Sequence, residues 1–186
     1  MRIIGGNFRG KKILEPKDKE TRPLKDLTKE SIFNILKHSN YINVKIEGAN
    51  ILDLYSGIGS FGIECISRGA KKITFIEKDF NCFNTLEANI NRLSISDQVI
   101  AYNNKIEDVE LENNLSRYRI FFFDPPYADK EFIKILDLIK KKKIFERNHI
   151  VIIHREKNSN DFLENLIKIK IIKKYGRSKI IFGTFN

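Results

Sequence analysis

Short apolar runs, rich in Ile, Phe and Val, recur along the chain from residue 50 onwards. The first five are N-I-L-D-L-Y, K-I-T-F-I-E, Q-V-I-A-Y, R-I-F-F-F-D and H-I-V-I-I-H. Amphipathic segments near residues 60–69, 79–92 and 130–142 lie between the first three runs and after the fourth. Apolar runs without polar alternation suit strands covered on both faces, and strands that alternate with helices form a parallel sheet. The predicted fold class is therefore α/β.

The last two runs, I-K-I-I-K-K-Y and K-I-I-F-G-T-F, are separated only by G-R-S. A parallel crossover needs a dozen or more residues, so a gap this short requires an antiparallel hairpin. The pattern thus predicts a mostly parallel, seven-stranded sheet that ends in a C-terminal antiparallel hairpin. This arrangement is more typical of methyltransferases than of dehydrogenases.

The N-terminal part of the chain has a different pattern. The opening I-I-G-G-N-F-R-G-K-K-I-L predicts two short strands around a glycine-containing turn, which is a β-hairpin. After Asp26 the apolar positions have helical spacing and predict a helix of about three turns. The polar stretch from Pro16 to Glu20 is the one plausible linker. We therefore expect a single domain over residues 1–186, with a hairpin extension over 1–20 and a Rossmann-like core over 21–186.

The formal net charge of +10 indicates a polyanionic partner, and its distribution sharpens this expectation. Residues 1–37 carry a net charge of +5 and residues 128–186 one of +8, whereas residues 38–127 carry −3. The two basic ends are the predicted nucleic-acid surface. A run of lysines such as Lys140 to Lys143 is equally well explained as a solvated helix end.

Composition excludes several classes of protein. No apolar run approaches the ~20 residues of a membrane helix, and the first twelve residues lack a secretory pattern, so we expect a cytoplasmic protein without membrane contact. The two cysteines, Cys65 and Cys82, lack metal-ligand spacing, and the three histidines complete no ligand set. We therefore predict neither a metal site nor a disulfide scaffold.

The first predicted strand leads into a glycine-rich turn. Gly57, Gly59 and Gly62 satisfy the G-x-G-x-x-G pattern, which lets the backbone approach a ligand closely. A tight turn needs glycine for other reasons too, so the pattern alone is weak. Asp53, four residues before Gly57, changes the interpretation because a carboxylate there repels a pyrophosphate and favours a cation. The predicted ligand is S-adenosylmethionine, which carries a sulfonium and an ammonium group.

The ends of the next two strands carry candidate contacts for the nucleoside part of such a ligand. Glu77 lies twenty residues beyond Gly57, where a carboxylate can accept hydrogen bonds from both ribose hydroxyls. NAD enzymes share this feature. After the third strand, either Asn103 or Asn104 stands where an adenine amino group could be read, although asparagine is also an ordinary turn residue.

The most specific motif is Asp124-Pro125-Pro126-Tyr127, directly after the fourth apolar strand. An exocyclic amine is a poor nucleophile because its lone pair is delocalised into the ring. If the Asp124 carboxylate and the Pro125 carbonyl each accept one N–H, the lone pair is aimed at the sulfonium methyl group. The prolines fix the loop, and Tyr127 can stack on a base withdrawn from its helix or loop. The motif predicts methyl transfer to an amino nitrogen of a nucleic-acid base.

Over essentially its whole length the chain resembles the bacterial 16S ribosomal RNA guanine-N2-methyltransferases of the RsmD type. The matching stretches are M-R-I-I-G-G-N-F-R-G-K-K, T-R-P-L-K-D-L-T-K-E-S-I-F-N-I-L, D-L-Y-S-G-I-G-S-F-G-I-E-C-I-S-R-G-A, I-E-K-D, D-P-P-Y and the closing Y-G. The resemblance implies a class I methyltransferase fold. It also implies a guanine of small-subunit ribosomal RNA as substrate, with the N-terminal hairpin near the RNA.

The residue pattern and the resemblance together predict three groups of site residues, in a protein that acts as a monomer. The predicted S-adenosylmethionine contacts are Asp53, Tyr55, Gly57, Gly59, Glu77 and Asn104. The predicted catalytic residues are Asp124, Pro125, Pro126 and Tyr127. The predicted nucleic-acid contacts, to 16S ribosomal RNA within a small-subunit particle, are Arg9, Lys11, Lys12 and Arg22. Three positions depart from the family pattern: Leu27 replaces a basic residue, Asn104 an Asp, and Ile153 a Glu.

Three rival functions follow from the same residues. An adenine-N6 methyltransferase acting on DNA would use the same Asp124 chemistry on a flipped base. An NAD-dependent oxidoreductase could use the glycine turn, but Asp53 and the Pro-Pro loop count against it. A non-catalytic RNA-binding module would have no need of an intact D-P-P-Y motif.

Overall fold

A computed structural model describes residues 1–15, 24, 26–111 and 117–186 of the chain. Its centre is a seven-stranded sheet with the strand order β3-β2-β1-β4-β5-β7-β6. The strands are β1 (Asn50–Leu54), β2 (Lys72–Ile76), β3 (Val99–Tyr102), β4 (Tyr118–Phe123), β5 (Phe145–Glu156), β6 (Ile167–Tyr175) and β7 (Ser178–Phe185). The seven predicted strands are confirmed.

The pairing directions also agree with the sequence pattern. Strands β1 to β5 pair in parallel, whereas β7 pairs antiparallel with both β5 and β6. The chain first builds outward from β1 to β2 and β3, and then returns to place β4 on the other side of β1. The order therefore reverses between β1 and β4. In open α/β sheets a ligand crevice forms at this point, outside the carboxyl ends of the strands.

Helices cover both faces of the sheet. They are α1 (Asp26–His38), α2 (Ser60–Ser67), α3 (Phe80–Leu93) and α4 (Phe132–Lys142). On one face, Phe33 of α1 stacks on Phe61 of α2, which stacks on Phe122 of β4, with ring centroids 5.4 and 4.1 Å apart. On the other face, α4 packs against Phe121 and Phe123 of the same strand. Neighbouring residues of β4 thus face opposite layers, which explains its unbroken apolar sequence.

In the described part of the chain, each helix is too short or too polar to cross a membrane. The longest of the four has 14 residues.

The N-terminal segment forms the predicted hairpin. Its two arms meet antiparallel at the bridge between Arg2 and Lys12, and three backbone hydrogen bonds of 2.9–3.2 Å join them. The backbone N–H groups of Ile4 and Gly5 donate to the Glu64 carboxylate of α2, each at 2.8 Å. A buried acid on the neighbouring helix thus holds the hairpin and satisfies two of its backbone donors. The predicted linker, Pro16 to Glu20, lies outside the described residues.

Candidate active site

Three carboxylates converge where the chain reverses its strand order. Asp53 lies in β1, Glu77 follows β2 and Asp124 follows β4. A cavity of about 450 Å³ opens at this edge, a size that suits a small-molecule site. Its walls include all three acids, together with Leu24, Tyr55, Ser56, Gly57, Ile58, Ser60, Phe61, Lys78, Asp79, Cys82, Phe122, Pro125, Pro126, Tyr127 and His154.

The three glycines of the turn do different things. Gly57 has φ 53° and open space where a Cβ would lie, and it lines the cavity. Gly59 has φ 82°, and a Cβ there would lie 2.4 Å from Cδ1 of Leu86. A Cβ on Gly62 would lie 2.3 Å from the Phe75 ring. Of the three, Gly57 lines the cavity, whereas the absence of a Cβ at Gly59 and Gly62 lets α2 pack closely on its neighbours.

Asp53 is a buried carboxylate in which only one of the two oxygens accepts a hydrogen bond from a described residue. Its Oδ2 accepts the Gly62 N–H at 2.9 Å, but its Oδ1 has no hydrogen-bond partner among the described residues. The side chain is 1% exposed, and burial raises its pKa well above the usual range. A buried oxygen without a partner is costly, so a cation or donor placed in the cavity is favoured there.

Glu77 joins the glycine turn to a second cavity. Its Oε2 accepts the Gly57 N–H at 2.7 Å and its Oε1 the Asp79 N–H at 2.8 Å. Burial raises the pKa of Glu77, and these two N–H groups oppose the rise. A carboxylate has about four acceptor sites, so these bonds leave Glu77 acceptor capacity for a ligand.

The second cavity has a volume of about 600 Å³ and shares Tyr55, Glu77 and Lys78 with the first. Its walls also carry the apolar side chains of Ile76, Ile106, Ile135 and Leu138. Asn104 lies here, exposed, whereas the Asn103 amide donates to the backbone carbonyls of Glu77 and Lys78. The sequence did not decide which of the two asparagines could contact an adenine. The structure shows that the Asn103 side chain is hydrogen-bonded within the turn, whereas Asn104 lines the cavity.

Tyr55 stands between the two cavities in an unusual backbone conformation. Its φ of 59° lies in the left-handed region, which costs energy for a residue with a side chain. Its phenol hydrogen-bonds Asp129, and burial raises its pKa above the usual range. The strained turn places the ring at the wall that both cavities share.

The D-P-P-Y loop lies beside a histidine that sequence reasoning did not single out. The Nδ1–H of His154 donates to Oδ1 of Asp124 at 2.7 Å. The Tyr127 ring meets the His154 ring edge-on, with centroids 5.9 Å apart. His154 thus fixes the direction in which the carboxylate faces the cavity, since one Asp124 oxygen is held while the other is left for a ligand.

Arg155, which the sequence analysis also did not single out, holds the same loop through hydrogen bonds to its backbone. Its guanidinium donates to the carbonyls of Pro126 and Tyr127 at 3.0 and 3.2 Å, and it makes two bonds to the Asp161 carboxylate. It also lies over the Phe132 ring of α4, 4.3 Å from its centroid. With 1% exposure it is among the largest fully buried side chains of the protein.

Strand register could have revealed both residues. Phe123 pairs with Ile153 in the parallel β4–β5 ladder, so the residues that follow, Asp124 and His154, lie side by side. Because side chains alternate along a strand, the next residue, Arg155, points to the opposite face beneath the loop. In the sequence, the available signal was the last residue of the run H-I-V-I-I-H, which is His154, and the residue after it, Arg155.

Three of the four predicted RNA contacts lie within the described residues. Arg9, Lys11 and Lys12 are exposed on the N-terminal segment, and the ammonium of Lys11 lies over the Phe8 ring at 4.8 Å. Arg22 lies outside the described residues. Leu27, which departs from the family pattern, is 80% exposed on the first turn of α1.

Comparison with other proteins shows the family. The model of the family described as conserved hypothetical protein 95 matches residues 1–184. Ribosomal RNA small subunit methyltransferase D of Buchnera aphidicola subsp. Acyrthosiphon pisum is 34% identical over 158 residues, covering 85% of this chain and 79% of that protein.

Solved structures show the same fold. Protein HI0767 of Haemophilus influenzae is 26% identical, with a TM-score of 0.77, covering 100% of this chain and 98% of that one. An RNA methyltransferase from Salinibacter ruber in complex with S-adenosyl-L-homocysteine is 11% identical, with a TM-score of 0.65, over 88% of this chain and 94% of that one. The predicted class I methyltransferase fold is confirmed. The chain belongs to the family of conserved hypothetical protein 95, the RsmD-type family of ribosomal RNA small subunit methyltransferase D.

Proposed function

We propose that this protein transfers a methyl group from S-adenosylmethionine to the N2 amine of a guanine in 16S ribosomal RNA. The observation that carries the proposal is that one cavity contains both a candidate site for a cationic cofactor and a candidate acceptor for an amine. The unpartnered oxygen of Asp53 offers a place for a cationic ligand, and Asp124, held by His154, offers an acceptor for an amine. Membership of the RsmD-type family supports the choice of ribosomal RNA.

The shape and charge of the two cavities fit the cofactor. Asp53 and the Gly57 backbone would hold its charged amino-acid end, and Glu77 would accept its ribose hydroxyls. The second cavity carries charged side chains as well as apolar ones, and its apolar wall, with Asn104 beside it, suits the adenine ring. The S-adenosyl-L-homocysteine bound by the Salinibacter ruber enzyme supports this assignment, because the two chains share their fold. When bound, S-adenosylmethionine supplies an electrophilic methyl group.

Asp124 acts on the amine by positioning it. One carboxylate oxygen accepts an N–H of the target amine and the Pro125 carbonyl accepts the other, so the nitrogen lone pair faces the methyl group. Transfer of the methyl group would leave the cofactor as S-adenosylhomocysteine and make the amine nitrogen cationic. The Asp124 carboxylate would stabilise that charge until one N–H proton passes to water. Tyr127 provides an aromatic face for the base, and Pro126 keeps the loop rigid.

His154 and Arg155 prepare the loop before the substrate arrives. His154 holds one oxygen of Asp124, and Arg155 ties two loop carbonyls to the buried Asp161. An acceptor that is already oriented does not have to reorganise during the reaction, which is the main source of electrostatic catalysis. Both are positioning residues in this scheme, because neither touches the amine.

The remaining parts of the proposal concern the substrate and the setting. The exposed cations Arg9, Lys11 and Lys12, with Arg22, bind phosphates of the RNA. The relative from Buchnera aphidicola is named for the small ribosomal subunit, which supports a substrate within a small-subunit particle. We place the activity in one domain over residues 1–186, acting as a monomer in the cytoplasm.

A transfer assay tests the function. Labelled S-adenosylmethionine is incubated with the protein and with small-subunit particles, free 16S ribosomal RNA or duplex DNA, and the labelled nucleosides are identified. We expect N2-methylguanosine in RNA samples only. Labelled N6-methyladenine in DNA, with no label in RNA, would establish the rival DNA enzyme instead.

Substitution of Glu77 by Ala should weaken cofactor binding. A lost charge-assisted hydrogen bond is worth about 1.5–3 kcal/mol, so the Kd for S-adenosylmethionine should rise roughly 10- to 150-fold. Calorimetry of the wild type and the variant measures this directly. The matched control is Glu87→Ala, an exposed carboxylate on α3, which should leave the Kd unchanged. Wild-type protein that bound NAD and ignored S-adenosylmethionine would overturn the cofactor assignment.

A further inference from the structure

We propose that the tip of the β6–β7 hairpin is a second RNA-binding surface, which holds phosphates that flank the target nucleotide. The hairpin tip cluster consists of Lys157, Lys173, Lys174 and Arg177. All four side chains are exposed. This inference rests on the proposed function, and it names residues within the basic C-terminal part of the chain, whereas the four predicted RNA contacts all lie near the N-terminus.

Topology brings this cluster to the same edge of the sheet as the catalytic loop. Strand β5 runs parallel to β4, so residues that follow β5 lie at the edge where Asp124 lies. The hairpin turns at this edge, because Tyr175 of β6 pairs with Ser178 of β7, and Ser178 pairs with Glu156 at the end of β5. The Lys157 N–H donates to the Arg177 carbonyl at 2.8 Å, which joins the two parts of the cluster.

The charges of the cluster are not neutralised within the protein. Among the residues that the structure describes, no acidic side chain forms an ion pair with any of the four. Glu156 is the acid nearest in sequence. Lys174 also pairs across the strands with Lys179, and like charges directly opposite each other destabilise a sheet. Stability of the hairpin therefore does not explain this arrangement, whereas a polyanion bound at the tip does.

Edge strands often carry lysines simply to prevent aggregation, and β6 is an edge strand. Lys168 and Lys170 serve that purpose at the other end of the same strand, where β6 begins far from the catalytic edge. The tip differs because Lys157 and Arg177 lie outside the strand and extend the positive charge along this edge of the sheet. The two ends of β6 thus provide a test surface and a matched control of equal charge.

The tip is also rigidly placed with respect to the site. The Tyr175 hydroxyl contacts the Ser31 hydroxyl of α1, and Tyr175 and Ile171 pack against the core on that face. Helix α1 in turn stacks on α2, whose first residue, Ser60, lines the cavity. A positive surface that is fixed relative to the cavity can set the register of an RNA strand.

The spacing decides which part of the RNA the tip binds. Strands β4 and β6 are three positions apart in the sheet, which at ~4.8 Å per position places Lys173 and Lys174 about 14 Å from Asp124. At about 3.4 Å per nucleotide of a stacked strand, this corresponds to roughly four nucleotides. These two lysines therefore reach flanking phosphates and not the target base, so they should affect KM for RNA and leave kcat unchanged.

The experiment compares two double charge reversals on one strand. Lys173→Glu with Lys174→Glu alters the tip, and Lys168→Glu with Lys170→Glu alters the other end. For each we measure thermal unfolding, S-adenosylmethionine binding, RNA affinity at several salt concentrations, and kcat and KM for small-subunit RNA. A third variant, Lys173→Gln with Lys174→Gln, removes the charge without adding repulsion.

We expect the tip variants to raise KM and to reduce the slope of log affinity against log salt by about two units, one for each lost phosphate contact. Their kcat and cofactor affinity should match the wild type, and their midpoint of thermal unfolding should not fall, because replacing Lys174 removes a like-charge pair with Lys179. Every property of the control should match the wild type. Equal shifts in both pairs, or none in either, would overturn the inference. RNA affinity is measured without catalysis, so a wild type that binds RNA but transfers no methyl group would contradict the proposed function alone.

Discussion

Replacing Asp124 by Ala should lower kcat about 10²–10³-fold, the usual effect of removing one preorganised group that stabilises a transition state. The carboxylate lies in the cavity wall with one oxygen held by His154, so it is already directed towards an amine before the substrate binds. Alanine leaves the amine without this acceptor and leaves the developing positive charge without a partner. Cofactor affinity should change little, because Asp53 and Glu77 remain. Single-turnover transfer and calorimetry measure the two properties separately.

Two comparisons make this prediction specific. Asp124→Asn should be milder than Asp124→Ala, since an amide oxygen still accepts an N–H. Asp97→Ala removes an exposed carboxylate just before β3, at the opposite edge of the sheet, and should leave kcat unchanged. His154→Phe should reduce kcat on its own but have no additional effect in the Asp124→Ala background, because the two residues act as a unit. Near wild-type turnover by Asp124→Ala would contradict the positioning mechanism.

Replacing Arg155 by Met should destabilise the protein by about 3–5 kcal/mol, the cost of removing one partner from a buried ion pair. Methionine roughly preserves the volume over Phe132 but leaves the Asp161 carboxylate and two loop carbonyls without donors. For a chain of this length the midpoint of thermal unfolding should fall by roughly 6–20 °C. Because the loop carbonyls are released, kcat should fall as well, even at temperatures where the variant is folded.

The control for Arg155 is Arg119, which also pairs with a carboxylate. Arg119 contacts Glu146 at 2.9 Å, but their side chains are 25% and 30% exposed. Solvent screens such a pair, so Arg119→Met should cost only about 0–1 kcal/mol and leave kcat unchanged. If the two substitutions had equal effects on unfolding, burial would not be what makes the Arg155 cluster important.

The sheet could be predicted from the sequence because its strands are buried on both faces. An apolar run such as that of β4 fits a strand covered by helices on both faces. The gap before β7 is only two residues long, which allows only an antiparallel pairing. The N-terminal hairpin could be predicted as well, because its glycines and apolar residues fit an antiparallel pair. Its anchor could not, since Glu64 on α2, which accepts the Ile4 and Gly5 N–H groups, is distant in sequence.

Site residues could be predicted where a sequence motif identifies them. They could not be predicted where their role depends on how two strands are aligned. Asp124 and Glu77 stand out because each ends an apolar run, and the structure places them in one cavity. His154 and Arg155 act on the loop through the β4–β5 ladder, so their importance appears only once the two strands are aligned. The glycine pattern does not by itself separate the two uses of glycine, since Gly57 lines the cavity while Gly59 and Gly62 lie where a Cβ would clash.

The central claim is tested most directly by the modified nucleosides of cells with and without this gene. Mass analysis of 16S ribosomal RNA should show the loss of one N2-methylguanosine in the deletion strain. The wild-type gene should restore it, and the Asp124→Ala variant should not, while N6-methyladenine in DNA stays constant throughout. Unchanged N2-methylguanosine in the RNA, with loss of N6-methyladenine from the DNA, would contradict the assignment of the substrate.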